Sequence, residues 1–286
     1  MCSALQAQHF VGAMVDGAAA WQLDKEEMTQ ARLGGGASVG GVYQMQYDKF
    51  LLQTGIGASQ MWLLQGLDTL HIAHETIDSE GLPFTYYGDL YNRTDQVMVT
   101  ELTIPLMLGA KVRSFHVLAG FKYAINILGY STQTAQLTTY GDYGNRYYGV
   151  LKDMPKHGFF TDKEVVTKDT MSFRPDVRLC LEFGWSWALT NEPVKTNAPI
   201  LQVGAFVEYG MSNTLINSTK VKPLTEQQYA PFMDVKMNHV YTTLSRDYTN
   251  INSLHIGVRV AVLFPVAEGK NPYCHCIDGA ATWYSL

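Results

Sequence analysis

The chain has 286 residues, 47% of them hydrophobic and only 16% charged, with a formal net charge of −5. Soluble proteins carry about 25% charged residues, so the surface expected here is unusually apolar. The negative balance with no basic patch excludes nucleic acid as a partner, and no run of about 18 apolar residues is present to form a transmembrane helix.

What the chain has instead is alternation. Side chains on a strand point to opposite faces in turn, so an apolar residue at every second position marks a strand with one apolar face. The first such run is Val11 to Trp21, with Val11, Ala13, Val15, Ala19 and Trp21 on one face and Asp16 on the other. The second, Ala37 to Tyr47, groups Val39, Tyr43, Met45 and Tyr47 opposite Ser38, Gln44 and Gln46. Asp48-Lys49 then reads as a tight hairpin turn. The third run, Phe50 to Trp62, sets Phe50, Leu52, Ile56 and Trp62 against Gln53, Gly55, Gly57 and Ser59.

A connection of about 30 residues is expected next. The fourth run follows, with Leu102, Ile104, Leu106 and Leu108 opposite Glu101, Thr103 and Met107. A short turn leads to the fifth, Phe115 to Ile127, where His116, Gly120, Lys122 and Asn126 occupy the polar parity. The stretch from Gly129 to Ser172 is rich in Tyr, Thr, Gly and Asp and reads as the longest loop. In the sixth run Val177, Leu179, Leu181, Phe183, Trp185 and Trp187 oppose Arg178, Cys180, Glu182, Gly184 and Ser186. In the seventh, Leu201, Val203, Ala205, Val207 and Tyr209 oppose Gln202, Gly204, Phe206 and Glu208. The last, Leu254 to Phe264, sets Ile256, Val258, Val260 and Val262 against His255, Gly257 and Arg259.

Eight runs with connections alternating long and short predict an all-β fold: an eight-stranded antiparallel transmembrane β-barrel with long extracellular loops and short periplasmic turns. Aromatic positions fit that topology. Tyr47, Phe50, Phe115, Trp185, Trp187 and Phe264 fall at the periplasmic ends of the apolar stripes, and Trp21, Trp62 and Tyr209 near the external ends, as an aromatic girdle at each interface requires. With the apolar parity facing lipid, the other parity faces the lumen. Asp16, Glu101, Lys122, Arg178, Glu182, Glu208 and Arg259 then form a charge network, because charges out of water must pair. An eight-stranded barrel is just wide enough for side chains to fill, so the network is expected to plug it.

The expected organisation is a residual signal-peptide end over residues 1–8, a barrel over 9–264 and a periplasmic C-terminal tail over 265–286. Leu5-Gln6-Ala7 has the small-residue ending of a cleavage site, although the basic and apolar regions of a signal are missing and a disordered tail fits as well. Cys274-His275-Cys276 in the tail lacks the ligand count of a metal site. His71-Ile72-Ala73-His74-Glu75 falls in an expected loop, lacks the H-E-x-x-H order and has no third ligand. With no G-x-S-x-G, P-loop or dinucleotide fingerprint, the chain reads as a non-enzyme without cofactor or metal. The loop tyrosines Tyr86, Tyr87, Tyr91, Tyr140, Tyr143, Tyr147 and Tyr148 suit either protein and glycan contacts or packing of the loops on one another.

Glu101-Leu-Thr-Ile-Pro-Leu-Met-Leu-Gly109, followed by Val117-Leu-Ala-Gly-Phe-Lys122, resembles the strand pair of the PorT-like outer-membrane β-barrel family of Bacteroidota, over roughly Phe10 to Phe264. The resemblance implies a barrel in the bacterial outer membrane, and in some members a role in protein export or as an accessory subunit of a larger machine. It carries over no active site. Its expected partners are outer-membrane lipid and other outer-membrane or periplasmic proteins. The alternative is a stand-alone small pore or a surface receptor for a small solute or glycan.

Overall fold

The computed structural model describes residues 7–23, 29–67, 69–145, 147–189, 198–212, 224–229, 232–237 and 252–266. The strands are β1 (Gln8–Leu23), β2 (Thr29–Tyr47), β3 (Phe50–Leu67), β4 (Leu70–Ile77), β5 (Pro83–Val112), β6 (Phe115–Asp142), β7 (Val150–Lys152), β8 (Lys163–Thr170), β9 (Asp176–Ala188), β10 (Ile200–Gly210), β11 (Leu224–Tyr229), β12 (Phe232–Met237) and β13 (Asn252–Pro265). Eight of them close a ring, β1-β2-β3-β5-β6-β9-β10-β13 and back to β1, with every pairing antiparallel. Closure leaves the ring with no free edge. The closing seam pairs Val11 with Phe264 and Trp21 with Leu254, so the first and last alternating runs lie side by side in register.

Two-residue turns, Asp48-Lys49 and Arg113-Ser114, join β2 to β3 and β5 to β6 at one end. Asp48 and Arg113 both sit at positive φ, 51° and 59°, a conformation that a tight reversal requires and most side chains resist. The segments between the third and sixth runs depart from the sequence expectation. Both polar stretches, expected as loops, are largely strand. β5 runs on from Met98 to Pro83 and β6 from Tyr130 to Asp142, on the order of 40–50 Å of strand at about 3.3 Å per residue, beyond the apolar belt. There β4 pairs with β5, and β7 and β8 pair with β6, making an upright extension of the sheet. His71 and His74 accordingly lie on strand β4 and not in a loop.

Two bulges explain why the alternation was lost from view. On β5 the register shifts between Tyr91 and Thr94, with Asn92 at φ 52°. On β6 the pairing skips Ile127, so Ile127 and Leu128 are both exposed, at 58% and 51%. Each extra residue swaps the parity that faces inward. On β6 the inward set is even up to Ala124 and odd from Gly129 onward.

Around the ring one parity is buried and the other is exposed and apolar. Val15, Val39, Ile56, Leu106, Phe121, Leu181, Val258 and Val260 all face outward. Tyr47, Phe50, Phe115, Trp185, Trp187 and Phe264 are exposed at the short-turn end, where Phe115 and Trp185 pack edge-to-face at 5.4 Å. At the other end Trp62 and Tyr209 are exposed and Trp21 is half-buried. Tyr130, in register with Met98 and through it with Trp62, joins that level and was not anticipated. The seam strand has ten steps from Leu254 to Phe264. At about 3.3 Å per step and about 40° tilt, the belt is about 25 Å tall.

Candidate functional site: the barrel lumen

One rung of the barrel carries much of the interior chemistry. Arg259 on β13 faces Asp16 on β1, Asp16 faces Ser38 on β2, Ser38 faces Ser59 on β3, and Ser59 faces Glu101 on β5. Strand register alone therefore lines up cation, carboxylate, two hydroxyls and carboxylate. Arg259 donates from Nε and Nη2 to the two Asp16 oxygens at 2.8 and 3.0 Å, and from Nη1 to Glu182 at 2.5 Å. Ser38 donates to Asp16 at 2.9 Å and Ser59 to Glu101 at 3.1 Å. Bidentate geometry of this kind uses the planar guanidinium fork fully.

The second half of the network lies across the barrel. Lys122 on β6 and Arg178 on β9 are cross-strand neighbours, a like-charge pair that would repel if left alone. Each is engaged by carboxylates: Lys122 donates to Glu208, and Arg178 donates to Glu101 at 2.5 Å and to Asp176 at 3.0 Å. Phe206 fills the centre, its ring 5.7 Å from the Lys122 ammonium and 5.4 Å from the Arg259 guanidinium. Gly257 makes this possible, because a Cβ there would meet the Phe206 ring at 2.6 Å.

All seven charges named from the sequence are thus buried in the lumen and brought into contact. Sequence reasoning missed three members. Asp176, fully buried, shares parity with Arg178 two residues on, and that spacing was readable. His116 lies 3.5 Å from Glu182, and His255 lies 3.8 Å from Glu208. A separate buried pair, Arg93–Asp95, sits higher on β5 with two contacts of 3.0 and 3.1 Å. It was hidden in the supposed loop.

Below the network, toward the short turns, the lumen is filled by apolar side chains and a few neutral polar ones. Phe10, Met14, Val42, Ile200, Ala261 and Leu263 form one buried cluster, and Leu51, Met107, Leu118 and Cys180 another. Gln44 and Gln202 bridge between strands at 3.1 Å. Cavities of about 20 Å³ and 30 Å³ lie at network level and above, both touching Met61, Arg178 and His255. Such volumes hold one or two waters.

No protein-family profile matches the chain, and no curated protein is significantly similar to it. Among solved structures, Neisserial surface protein A is 10% identical, matched over 90% of this chain and 98% of that one, with TM-score 0.29. Ail, the attachment invasion locus protein of Yersinia pestis, solved with the heparin analogue sucrose octasulfate, is 7% identical over 90% of this chain and 99% of that one, with TM-score 0.28. The barrel itself rests on the strand pairings.

One arrangement in the lumen has the order of a nucleophilic relay. Ser186 Oγ lies 3.0 Å from His116 Nδ1, and His116 Nε2 faces Glu182. His116 is fully buried, Ser186 is 5% exposed, and Gln202 donates to the same hydroxyl at 3.3 Å. Neither of the cavities of about 20 Å³ and 30 Å³ is lined by Ser186 or His116. The contacts of His116 tie β6 to β9. Among the described residues no group of three or more His, Cys, Asp or Glu is placed to hold a metal ion. Residues 1–6 and 267–286, with Cys274, His275 and Cys276, lie outside the described residues, so the expected leader end and tail stand as sequence readings.

Above the barrel, the extension has its own small core. Phe84, Tyr86, Tyr143 and Phe159 are buried together, with Phe84 and Tyr143 stacked at 4.6 Å. Burial, with Asp78 nearby, pushes the Tyr143 hydroxyl up to about 12. Tyr87 and Tyr140 stack on the outer side at 4.8 Å, with Lys152 over Tyr140. Of the loop tyrosines, Tyr86 and Tyr143 are therefore packing residues. Tyr147 and Tyr148 are exposed.

Proposed function

We propose that this chain is an integral barrel of the bacterial outer membrane, with a lumen closed by its own side chains, serving as a structural or accessory subunit of a larger outer-membrane assembly. The observation that carries the reading is the pairing of an apolar outer wall with an ionic interior. In water the arrangement would be inverted: exposed Leu, Val, Ile, Phe and Trp on seven of the eight ring strands would cost about 25 cal/mol per Å² of apolar surface, while ten charged side chains lay buried. In lipid both faces are at home. The belt height of about 25 Å equals that of barrel proteins in the outer membrane. The aromatic residues at its two ends sit where amphipathic rings favour the interface. The two-residue turns then face the periplasm and the β4–β8 extension faces outward.

The accessory role rests on what the lumen lacks. Apolar and neutral polar side chains below and a paired charge network above fill the lumen among the described residues, which favours the outer wall and the extension as the working surfaces. The resemblance of Glu101–Gly109 and Val117–Lys122 to the PorT-like strand pair supports the same role. A stand-alone pore would need an open lumen.

Two measurements test the proposal. In planar bilayers the purified protein is expected to give no stable open steps, and sustained channels would overturn the sealed lumen. Purification from native membranes in gentle detergent is expected to return the chain with a stoichiometric partner. A lone monomer would remove the accessory role and leave the barrel standing.

A further inference from the structure

On the outer wall, near the extension, two side chains are seated on glycines of the neighbouring strand. The register of β2 against β3 shifts between Arg32 and Gly35, which marks a bulge. Gly35 faces outward opposite Trp62, and the bulge swaps the parity, so Arg32, opposite Leu64, faces outward too. Without it the guanidinium would point into the lumen. Arg32 lies across β3 and donates from Nη1 to Thr94 Oγ1 on β5 at 2.9 Å. Beneath it is Gly66, where a Cβ would meet Arg32 Nε at 2.6 Å and Cζ at 2.9 Å. Trp62 makes the reciprocal contact: its ring lies over Gly35 on β2, where a Cβ would stand 3.3 Å from two ring carbons.

The level of this pair on the wall matters. Trp62 is in register with Met98 and Tyr130, the girdle at the extension end. Arg32 stands on the rung of Leu64, Gln96 and Thr132, two residues farther out, about 6–7 Å along the strand. Interfacial rings mark the edge of the hydrocarbon, and the layer just beyond them holds the headgroups. Arg32 is exposed there, and among the described residues it meets no carboxylate and makes this one hydrogen bond, which leaves most of the five guanidinium donors unused.

Resting on the outer-membrane reading above, we infer that Arg32 is a binding site for the phosphate of an outer-leaflet lipid, whose acyl chains run down the wall past Trp62. The planar guanidinium fork matches two phosphate oxygens. A side chain already laid flat on Gly66 and tied to Thr94 loses less freedom on binding than a free arginine does. Lys168 on β8 provides the contrast. It shares the rung through Thr132 and is exposed, but no glycine of the wall lies beneath it. Lys168 attracts any anion, whereas Arg32 holds one in a fixed place beside an indole.

The test uses the purified full chain in phosphatidylcholine nanodiscs titrated with phosphatidate, a lipid carrying a phosphate monoester. Native mass spectrometry counts the phosphatidate retained. Retention should saturate, and Arg32→Gln should lower the affinity about fivefold, the effect of one cation near a charged surface. The deciding variant keeps the charge. Gly66→Ala pushes the guanidinium off its seat and should cost most of the same effect, while Lys168→Gln should cost less than half of it. The three atoms nearest a Cβ at Gly66 all belong to Arg32, so the strand itself accepts the methyl group. In NMR spectra the Trp62 indole N–H should shift with the same saturation, and those of Trp185 and Trp187, at the other end of the belt, should stay fixed. Equal losses in Arg32→Gln and Lys168→Gln, no loss in Gly66→Ala, or an unmoved Trp62 signal would each overturn the proposal. Displacement by inorganic phosphate at the concentration of the lipid would make this a site for the free anion and overturn it too. Vesicle flotation and heat-modifiable mobility of the same variants report on the barrel independently, so loss of the lipid site is distinguishable from failure of the membrane reading.

Discussion

Replacing Arg259 with methionine tests the lumen network at its most connected point. Arg259 is 3% exposed and serves two carboxylates at once, Asp16 through two contacts and Glu182 through a third. Methionine keeps much of the length and none of the charge. Removing one partner of a buried ion pair costs about 3–5 kcal/mol, because the other charge is left without compensation. Here two carboxylates lose their partner. Asp16 keeps Ser38 and Glu182 keeps its contact with His116, which offsets part of the loss. The expected destabilisation is therefore about 4 kcal/mol, near the middle of the range. Reversible urea unfolding in lipid vesicles, followed by heat-modifiable gel mobility, measures it. The triple variant Arg259→Met with Asp16→Asn and Glu182→Gln removes the stranded charges and should recover at least half of the loss. If Arg259→Met unfolds within about 0.5 kcal/mol of the parent, as surface substitutions do, or if the triple variant is no better than the single, the network does not hold the barrel.

Two other outcomes follow from the same geometry. Val260→Arg places a charge near the middle of the outward belt and should cost about 2–4 kcal/mol in vesicles, while Val166→Arg on β8, above the belt, should change stability by less than about 0.5 kcal/mol. Tyr143 should titrate late: with its hydroxyl pushed up to about 12, the folded extension favours the protonated phenol, so its contribution is complete below about pH 10 and is lost as pH rises through 12. Tyrosinate absorbance, with Tyr143→Phe as the difference, reads this directly, and a Tyr143 component titrating near pH 10 would refute the packing described for the cap.

The ring strands were legible because an apolar outer face alternates with a buried inner one along each of them. Val177–Trp187 is apolar at every odd position, and β9 occupies Asp176–Ala188. The luminal charges were legible for the same reason: once Val258 and Val260 point outward, Arg259 must point in. Above the belt the rule fails. On β6 from Ser131 to Asp142 Leu137 is the one aliphatic residue larger than alanine, so the alternation shows little hydropathy contrast although the inward face packs into a small core. The bulges at Asn92 and Ile127 shift the parity just where the contrast fades. That is why the extension and the Arg93–Asp95 pair lay hidden in apparent loops. The plug was half visible: Met107, Leu118 and Leu263 stood on the polar parity, where apolar side chains have no reason to be unless the lumen is filled.

The central claim, that one parity meets lipid and the other a closed interior, is tested most directly by a spin-label scan of β13 from Leu254 to Phe264 in vesicles. Oxygen collects in lipid and a charged nickel chelate stays in water, so their relaxation effects report the surroundings of each position. The account predicts high oxygen access at Ile256, Val258, Val260 and Val262, and low access to both reagents at His255, Gly257, Arg259 and Ala261. A nickel response at Val258 and Val260 equal to that of an exposed turn, or no period of two along the strand, would contradict it.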